Sequence, residues 1–331
     1  MATKYPLISA LILSGVWAAG ASGLDQVYYT QGAYTGSWKT LNVNAGYYRA
    51  LAEDTTHSGP DFVVFGARSD GSGVSQIVSH DWGYTWTEYD IWSTNYRDIA
   101  AITGLNGFYG ARADGTGLDR VWWDGSAWVS QQLSPVNYKA LAAEATHPGP
   151  VFIVHAARAD GTGVDQVIST DWGYNWTTNF ITATDYKELE TMSGIDNQFY
   201  AARADGTGLD RVYFAGNQWY TLPVVSTNYK ALAREATQAG PRLVVHGARA
   251  DGGGVYQIIS EDWGSTWAEN YVVGTDYDEL AVKNGVANQF FGCLHHRRVV
   301  ADFDDDGDVD LGDFAMFQTC FNGPNRPPAC H

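Results

Sequence analysis

Cysteine is missing from the first 292 residues; the three present, Cys293, Cys320 and Cys330, all lie near the C-terminus. A body without cysteine uses no disulfide staples, so its stability has to come from a large core. Basic residues are scarce as well: 20 Lys and Arg face 37 Asp and Glu, for a net charge of −17. This balance argues against nucleic acid or an anionic membrane as partner and reads as a soluble, acidic surface. Beyond Leu7 to Ala19, no apolar stretch approaches the length of a membrane span. Long amphipathic helical patterns are absent until roughly the last thirty residues. What the chain does have is aromatics (14%) and 37 glycines, a mixture suited to many short strands joined by tight turns.

The one apolar run carries its own meaning. Lys4 precedes it and the small residues Ala19-Gly20-Ala21 close it, the pattern of a secretory signal peptide over residues 1–21, cleaved after Ala21. The mature chain is therefore expected to be exported, either secreted or held at the cell surface.

Two aromatic rulers set the architecture. Trp38, Trp86, Trp128, Trp176, Trp219 and Trp267 follow one another at 48, 42, 48, 43 and 48 residues. Tyr48, Tyr96, Tyr138, Tyr186, Tyr229 and Tyr277 repeat the same five spacings. Units of about 45 residues, rich in aromatic and β-branched side chains and broken by Gly turns, read as four-stranded blades of a β-propeller. In the unit from Asn137, strands are expected at Asn137–Leu141, Val151–His155, Val164–Ile168 and Trp176–Ile181. The first copy, Leu24 to Val43, has only the later two strands, and the last, Asp276 to Cys293, only the earlier two. Two strands from each end then complete one shared blade, which leaves no free sheet edge. Odd and even blades differ in length and sequence, so the expected fold is all-β: six blades, 2+2 strand closure and pseudo-threefold symmetry over residues 22–293.

The turn between third and fourth strands reads Ser79-His80-Asp81-Trp82-Gly83-Tyr84-Thr85-Trp86. It returns as Ser169-Thr170-Asp171-Trp172-Gly173-Tyr174-Asn175-Trp176 and as Ser260-Glu261-Asp262-Trp263-Gly264-Ser265-Thr266-Trp267. These three segments resemble the Asp-box, or bacterial neuraminidase repeat, of sialidase-like propellers. The box itself is structural: its Asp accepts backbone N–H groups, its Gly permits the turn and its last Trp packs between blades. A sialidase likeness also implies an arginine triad, a Tyr–Glu nucleophile pair and an acid/base carboxylate at the opposite mouth. No Arg-Ile-Pro element precedes the first blade, and Arg68, Arg112, Arg158, Arg203 and Arg249 are equivalent copies. A catalytic centre needs unlike residues converging on one point, so this repetition of like residues counts against an enzyme.

Those five arginines open Arg-x-Asp-Gly turns on the face opposite the boxes, and they support two readings. Each can lock its own blade through a neighbouring Asp, such as Asp160 or Asp165 for Arg158. Alternatively, Arg forks with nearby carboxylates and aromatics suit sugar hydroxyls and ring faces, which makes the five arginines candidate ligand-binding residues. Arg49, Arg97, Lys139, Lys187 and Lys230, with Asp278 breaking the set, are expected at the same mouth, either as solvated rim charges or to favour an anionic glycan. His57, His80 and His147 are expected in turns on the box face, and His155 and His246 at the ends of second strands. None shows metal-ligand spacing.

After Cys293 the composition changes. A basic linker, residues 294–301 with His295-His296-Arg297-Arg298, leads into an acidic loop. Asp302, Asp304, Asp306, Asp308, Asp310 and Asp313 stand at positions 1, 3, 5, 7, 9 and 12 of an EF-hand-type calcium loop, with Gly307 at 6 and Val309 at 8. Leu311, Phe314, Phe317 and Phe321 then form one apolar helical stripe. Asp rather than Glu at position 12, and no helix before the loop, resemble a dockerin repeat. The segment over 302–331 resembles the single-loop, dockerin-type tails of exported planctomycete proteins. That resemblance implies bound calcium and docking to an envelope or cohesin-like protein. Within the tail region, Cys293–Cys320 would bracket the loop, while Cys320–Cys330 would tie the tail to its helix; spacing leaves both open. The functional expectation is an exported, non-catalytic propeller that binds carbohydrate, at three equivalent positions, and is anchored by its calcium tail. A sialidase-like glycoside hydrolase and a structural or protein-binding envelope propeller are the alternatives.

Overall fold

Every Tyr of the second ruler opens a strand that lies against a common axis. A computed structural model describes residues 23–294 except 32–35, 55, 57–59, 145–149, 193–194, 236–240 and 283–286. The expected signal peptide and the calcium loop with Asp302, Asp304, Asp306, Asp308, Asp310 and Asp313 lie outside the described residues, as do His57, His147, Cys320 and Cys330.

The first two strands are β1 (Leu24–Gln31) and β2 (Gly36–Asn44). Blade one then holds β3 (Tyr48–Glu53), β4 (Phe62–Arg68), β5 (Val74–Ser79) and β6 (Thr87–Trp92). Blade two holds β7 (Tyr96–Ala101), β8 (Gly107–Arg112), β9 (Leu118–Trp123) and β10 (Trp128–Ser134). Blade three is β11 (Tyr138–Ala143), β12 (Phe152–Arg158), β13 (Val164–Ser169) and β14 (Thr177–Thr182). Blade four follows with β15 (Tyr186–Thr191), β16 (Gln198–Arg203), β17 (Leu209–Ala215) and β18 (Gln218–Val225). Blade five has β19 (Tyr229–Arg234), β20 (Leu243–Arg249), β21 (Val255–Ser260) and β22 (Ala268–Val273), and the chain continues into β23 (Tyr277–Val282) and β24 (Gln289–Leu294). The sixth blade is the expected seam, in the order β2-β1-β24-β23, with Leu24 opposite Cys293 and Tyr28 opposite Gln289. All six sheets are antiparallel and four-stranded, so the six-bladed, 2+2-closed, all-β fold is what the chain adopts.

The inner strands β3, β7, β11, β15, β19 and β23 neighbour one another around the axis. They are nearly dry. The six ruler tyrosines are 0–3% exposed. Burying so large a ring requires a partner for its hydroxyl. In blades two, three and four, Tyr96, Tyr138 and Tyr186 donate to Asp119, Asp165 and Asp210 at 2.8, 2.9 and 2.8 Å. A bulge follows each Tyr, for instance between Tyr96 and Asp98, and resets which way the next residues point. Outer strands such as β2 and β22 are mostly exposed, so the core sits between blades rather than outside them.

The box turns show why their residue types recur. Asp81 accepts the Thr85 N–H at 2.8 Å and the Thr85 hydroxyl at 2.6 Å, while Ser79 Oγ accepts the Gly83 N–H at 2.8 Å. Trp86 Nε1 donates to the Gly83 carbonyl at 3.0 Å, and its ring meets Phe291 of blade six edge-on at 5.6 Å. Asn175 replaces Thr without loss, because its Nδ2 donates to Asp171 at 2.6 Å. Trp176 and Trp267 pack in the same way on Tyr109 and Tyr200 of the preceding even blades.

Two expectations need correction. His155 and His246 do not end their strands; each is the fourth residue of a seven-residue strand, fully buried, in the register that Phe65 occupies in blade one. Each packs between blades, His155 at 4.7 Å from Phe199 and His246 at 4.9 Å from Phe290. Cys293 lies in β24, inside the 22–293 propeller. Among the described residues it is a free thiol, in one core cluster with Leu24, Tyr48 and Phe291, and burial pushes its pKa up to about 12.

Candidate functional site

The Arg-x-Asp-Gly face resolves into two kinds of arginine. Arg158 grips Asp165 with both Nε (2.9 Å) and Nη2 (2.8 Å), and Arg203 grips Asp210 likewise at 2.7 and 2.9 Å. Arg112 Nε meets Asp119 at 2.6 Å. In each of these blades the Asp is buried on the third strand and is shared with the ruler Tyr. Asp160, the other candidate partner of Arg158, serves its own turn instead, accepting the Thr162 N–H and hydroxyl.

Blades one and five differ because Ser75 and Tyr256 stand where the others have Asp. There the carboxylate moves to the fourth strand. Arg68 reaches Ser75 (2.7 Å), Glu88 (2.7 Å) and Asp90 (2.5 Å), and Tyr229 donates to Glu269. Arg249 pairs with exposed Asp251 and lies over the Tyr256 ring. These two arginines border cavities of about 380 and 430 Å³. In blade six the chain offers Leu294 in place of Arg, and among the described residues the Asp25 side chain is met by the Tyr277 hydroxyl and Asn42; burial raises its pKa. The strand-opening cations tie blades together. Lys139 reaches Asp185 (2.5 Å), Lys187 reaches Asn228, and Lys230 reaches Asp276 (2.9 Å) and Asp278 (2.5 Å). Arg49 and Arg97 instead bond the carbonyls of Ser69 and Ala113 in their own blades.

Around the axis lies a feature the sequence reading missed. Two residues past the ruler Tyr, even blades carry Asp98, Glu188 and Glu279, whereas odd blades carry Ala50, Ala140 and Ala231. All three acids line one axial cavity of about 80 Å³ with Glu190 and Arg234. Burial, and then mutual repulsion, push Glu188 and Glu279 well above the usual carboxylate range; burial raises Asp98 to about 7. Asp98 accepts N–H groups from Ile99 and from Leu141 of the next blade. Arg234 lies 3.8 Å from Glu190 and donates to Thr191 at 2.6 Å. The signal was present in the sequence as an acid at every second unit, at a fixed offset from the ruler. Buried, perturbed carboxylates mark functional sites in general. This cavity, however, is far below the roughly 300 Å³ at which small-molecule pockets begin, so no sugar ring enters it.

The opposite face has room and exposed aromatics. Trp82, Trp172 and Trp263 are 60, 60 and 58% exposed, at equivalent places in the three box turns. Each stands in left-handed backbone, at φ 62°, 65° and 61°. Tyr84 and Tyr174 beside them are more than 80% exposed. Under each of these turns reaches one residue from the third strand of the preceding even blade. Under two of them it is a guanidinium. Arg120 lies 4.6 Å from the rings of both Trp122 and Phe152, and Arg211 Nη1 donates to the Trp263 carbonyl at 2.9 Å. Under the third it is Gln26, which lines a cleft of about 310 Å³.

No family model matches the chain, and no curated protein matches it either. Solved structures do share the fold. The fucose-specific lectin of Aleuria aurantia is 13% identical over 72% of this chain and 87% of its own, with a TM-score of 0.52. A protein of unknown function from Dyadobacter fermentans is 11% identical over 82% of this chain and 100% of its own, at 0.51. A GH74 xyloglucanase from Xanthomonas campestris is 14% identical over 76% of this chain and 44% of its own, at 0.47.

Proposed function

We propose that the protein is an exported, non-catalytic propeller that binds carbohydrate and is anchored through a calcium-loaded C-terminal tail. The observation that carries this reading is the threefold set of exposed box tryptophans. A non-Gly residue in left-handed backbone costs roughly 1–2 kcal/mol, and turn formation alone would be served better by Gly or Asn. A large ring kept in water at that cost three times over points to a use outside the fold. Trp and Tyr offer flat, rigid, amphipathic area at little entropic cost, which suits the mixed C–H and hydroxyl faces of a sugar.

A glycan array is the test, with fucosylated glycans among the first probes because a lectin of similar fold is described as fucose-specific. The native chain is expected to bind, and the triple variant Trp82→Ala/Trp172→Ala/Trp263→Ala to lose that binding with an unchanged far-UV spectrum. A native array without hits would overturn the reading.

The tail is part of the same proposal. Its donors are all oxygens, the chemistry of a hard cation, and Asp302, Asp304, Asp306, Asp308, Asp310 and Asp313 would hold calcium. So small a unit needs the metal to fold, and its docking partner would be an envelope or cohesin-like protein. Calorimetry of the whole chain is expected to show one calcium ion per molecule. Asp306→Ala/Asp308→Ala should abolish that binding while leaving glycan binding intact.

A further inference from the structure

The three box turns are equivalent in position but not in what lies beneath them, and the difference falls on one residue. In β1, β9 and β17 the segments Asp25-Gln26-Val27, Asp119-Arg120-Val121 and Asp210-Arg211-Val212 are copies of one another. Their second residue points under the box turn of the following blade. A Cβ built on Gly83 would meet Gln26 Oε1 at 3.0 Å, one on Gly173 Arg120 Nη1 at 2.1 Å, and one on Gly264 Arg211 Nη1 at 2.5 Å. Arginine therefore sets a planar cation against two of the turns. Arg120 is clamped between Trp122 and Phe152, and Arg211 is bonded to the Trp263 carbonyl and, at 2.7 Å through Nη2, to Gln198.

Between blades six and one the shorter Gln26 leaves the space open. Phe62 forms one wall, edge-on to Trp82 at 6.2 Å, and Tyr28, Leu41 and Tyr84 extend the apolar lining. Two carboxamides stand among these rings. Gln26 is 5% exposed, and among the described residues its side chain makes one long hydrogen bond, 3.5 Å to Gln289 Oε1. A carboxamide carries two donors and two acceptor lone pairs, so the side chain can still offer hydrogen bonds to a ligand in the cleft. At about 310 Å³ the cleft lies at the small end of small-molecule pockets.

We propose that this cleft is the one open saccharide site of the ring. It holds a single sugar ring with an apolar face against Trp82 and Phe62 and hydroxyls on the carboxamides of Gln26 and Gln289. This rests on the carbohydrate-binding reading above, and it replaces three equal sites with one.

The test is calorimetry and tryptophan fluorescence on the whole protein with methyl glycosides of glucose, galactose, fucose and N-acetylglucosamine. At least one should bind with a stoichiometry near one. Gln26→Arg should abolish that binding, and the ring tolerates it because two other copies already carry Arg at this register. Trp82→Ala should weaken binding about ten-fold or more, as central aromatic contacts do. Tyr89→Ala, an exposed ring on the outer strand β6 and no part of the cleft lining, should leave it unchanged. Melting temperatures confirm that each variant is folded. A stoichiometry near three, or undiminished binding in Gln26→Arg, overturns the single-site proposal and leaves carbohydrate binding standing. No binding of any glycoside together with an empty glycan array overturns both.

Discussion

Asp165→Ser should lower the unfolding free energy by about 2–4 kcal/mol, and adding Thr178→Glu should return at least half of it. Asp165 is fully buried and takes both forks of Arg158 and the Tyr138 hydroxyl. Removing one partner of a buried pair strands the others, at a cost of roughly 3–5 kcal/mol when all are dry. Arg158 is 30% exposed and can rehydrate, which reduces the figure. The rescue copies blade one, where Ser75 stands at this place and Glu88 on the fourth strand receives Arg68. Thr178 is the register equivalent of Glu88: Thr178 faces Val167 as Glu88 faces Ile77. Urea denaturation of the two variants decides it. A double variant no more stable than Asp165→Ser would show that the fourth-strand carboxylate does not replace the third-strand one.

That interchange also shows what could and could not be read beforehand. The rulers, the seam and the turn between second and third strands were legible because six copies vary around one constant geometry. The Arg–Asp lock was legible as a class of contact, but its partner was not. Asp160 is the nearer of the two to Arg158 in sequence, yet the strand register places Asp165 against the guanidinium while Asp160 bonds Thr162. His155 and His246 were misplaced at strand ends because nothing local distinguishes a polar residue at a strand end from one replacing Phe65 between blades. The open cleft was beyond a residue-by-residue reading. Gln26, Phe62, Trp82 and Gln289 meet only once the first strand pair has joined the last, and the decisive change, Gln for Arg, is one position inside a repeat.

Glu188→Gln should stabilise the protein on the alkaline side of neutrality and flatten its dependence on pH. Asp98, Glu188 and Glu279 all have raised pKa values in the folded ring, so the native state holds protons that the unfolded chain releases near pH 4. The contribution of such groups is complete below that pH and is lost as pH rises through the folded value, about 7 for Asp98. His246 works in the other direction: burial lowers it to about 3, so acidification below roughly 6.5 favours the unfolded chain. The box and turn carboxylates Asp81, Asp160 and Asp171 are lowered by hydrogen bonds from their own turns, and they titrate further into acid. Between pH 6.5 and 8.5 the axial acids therefore act alone among these groups. The native protein should lose several degrees of melting temperature across that interval, at roughly 2–4 °C per kcal/mol for a domain of this order of size. Glu188→Gln should lose less, because it removes one charge from the cavity and relieves its neighbours. Equal losses in both proteins would mean that water or counter-ions already neutralise the axis.

The pairing of β1 with β24 has a consequence for how the ring comes into being. Leu24 finds Cys293 only after the whole of the remaining ring has been made. At about 5–20 residues per second, synthesis alone separates the two strands by on the order of tens of seconds. Contacts so remote along the chain close slowly, because the entropy of a large loop must be overcome before they form. Through that interval β1 has β2 on one side and an unsatisfied edge on the other, so it depends on being kept from pairing elsewhere. The last strand therefore acts as a proof of completeness. A chain truncated before Gln289 would leave blade six without its centre, and the cleft beside Trp82 without the Gln289 wall. Any ligand held there would report that the ring had been finished.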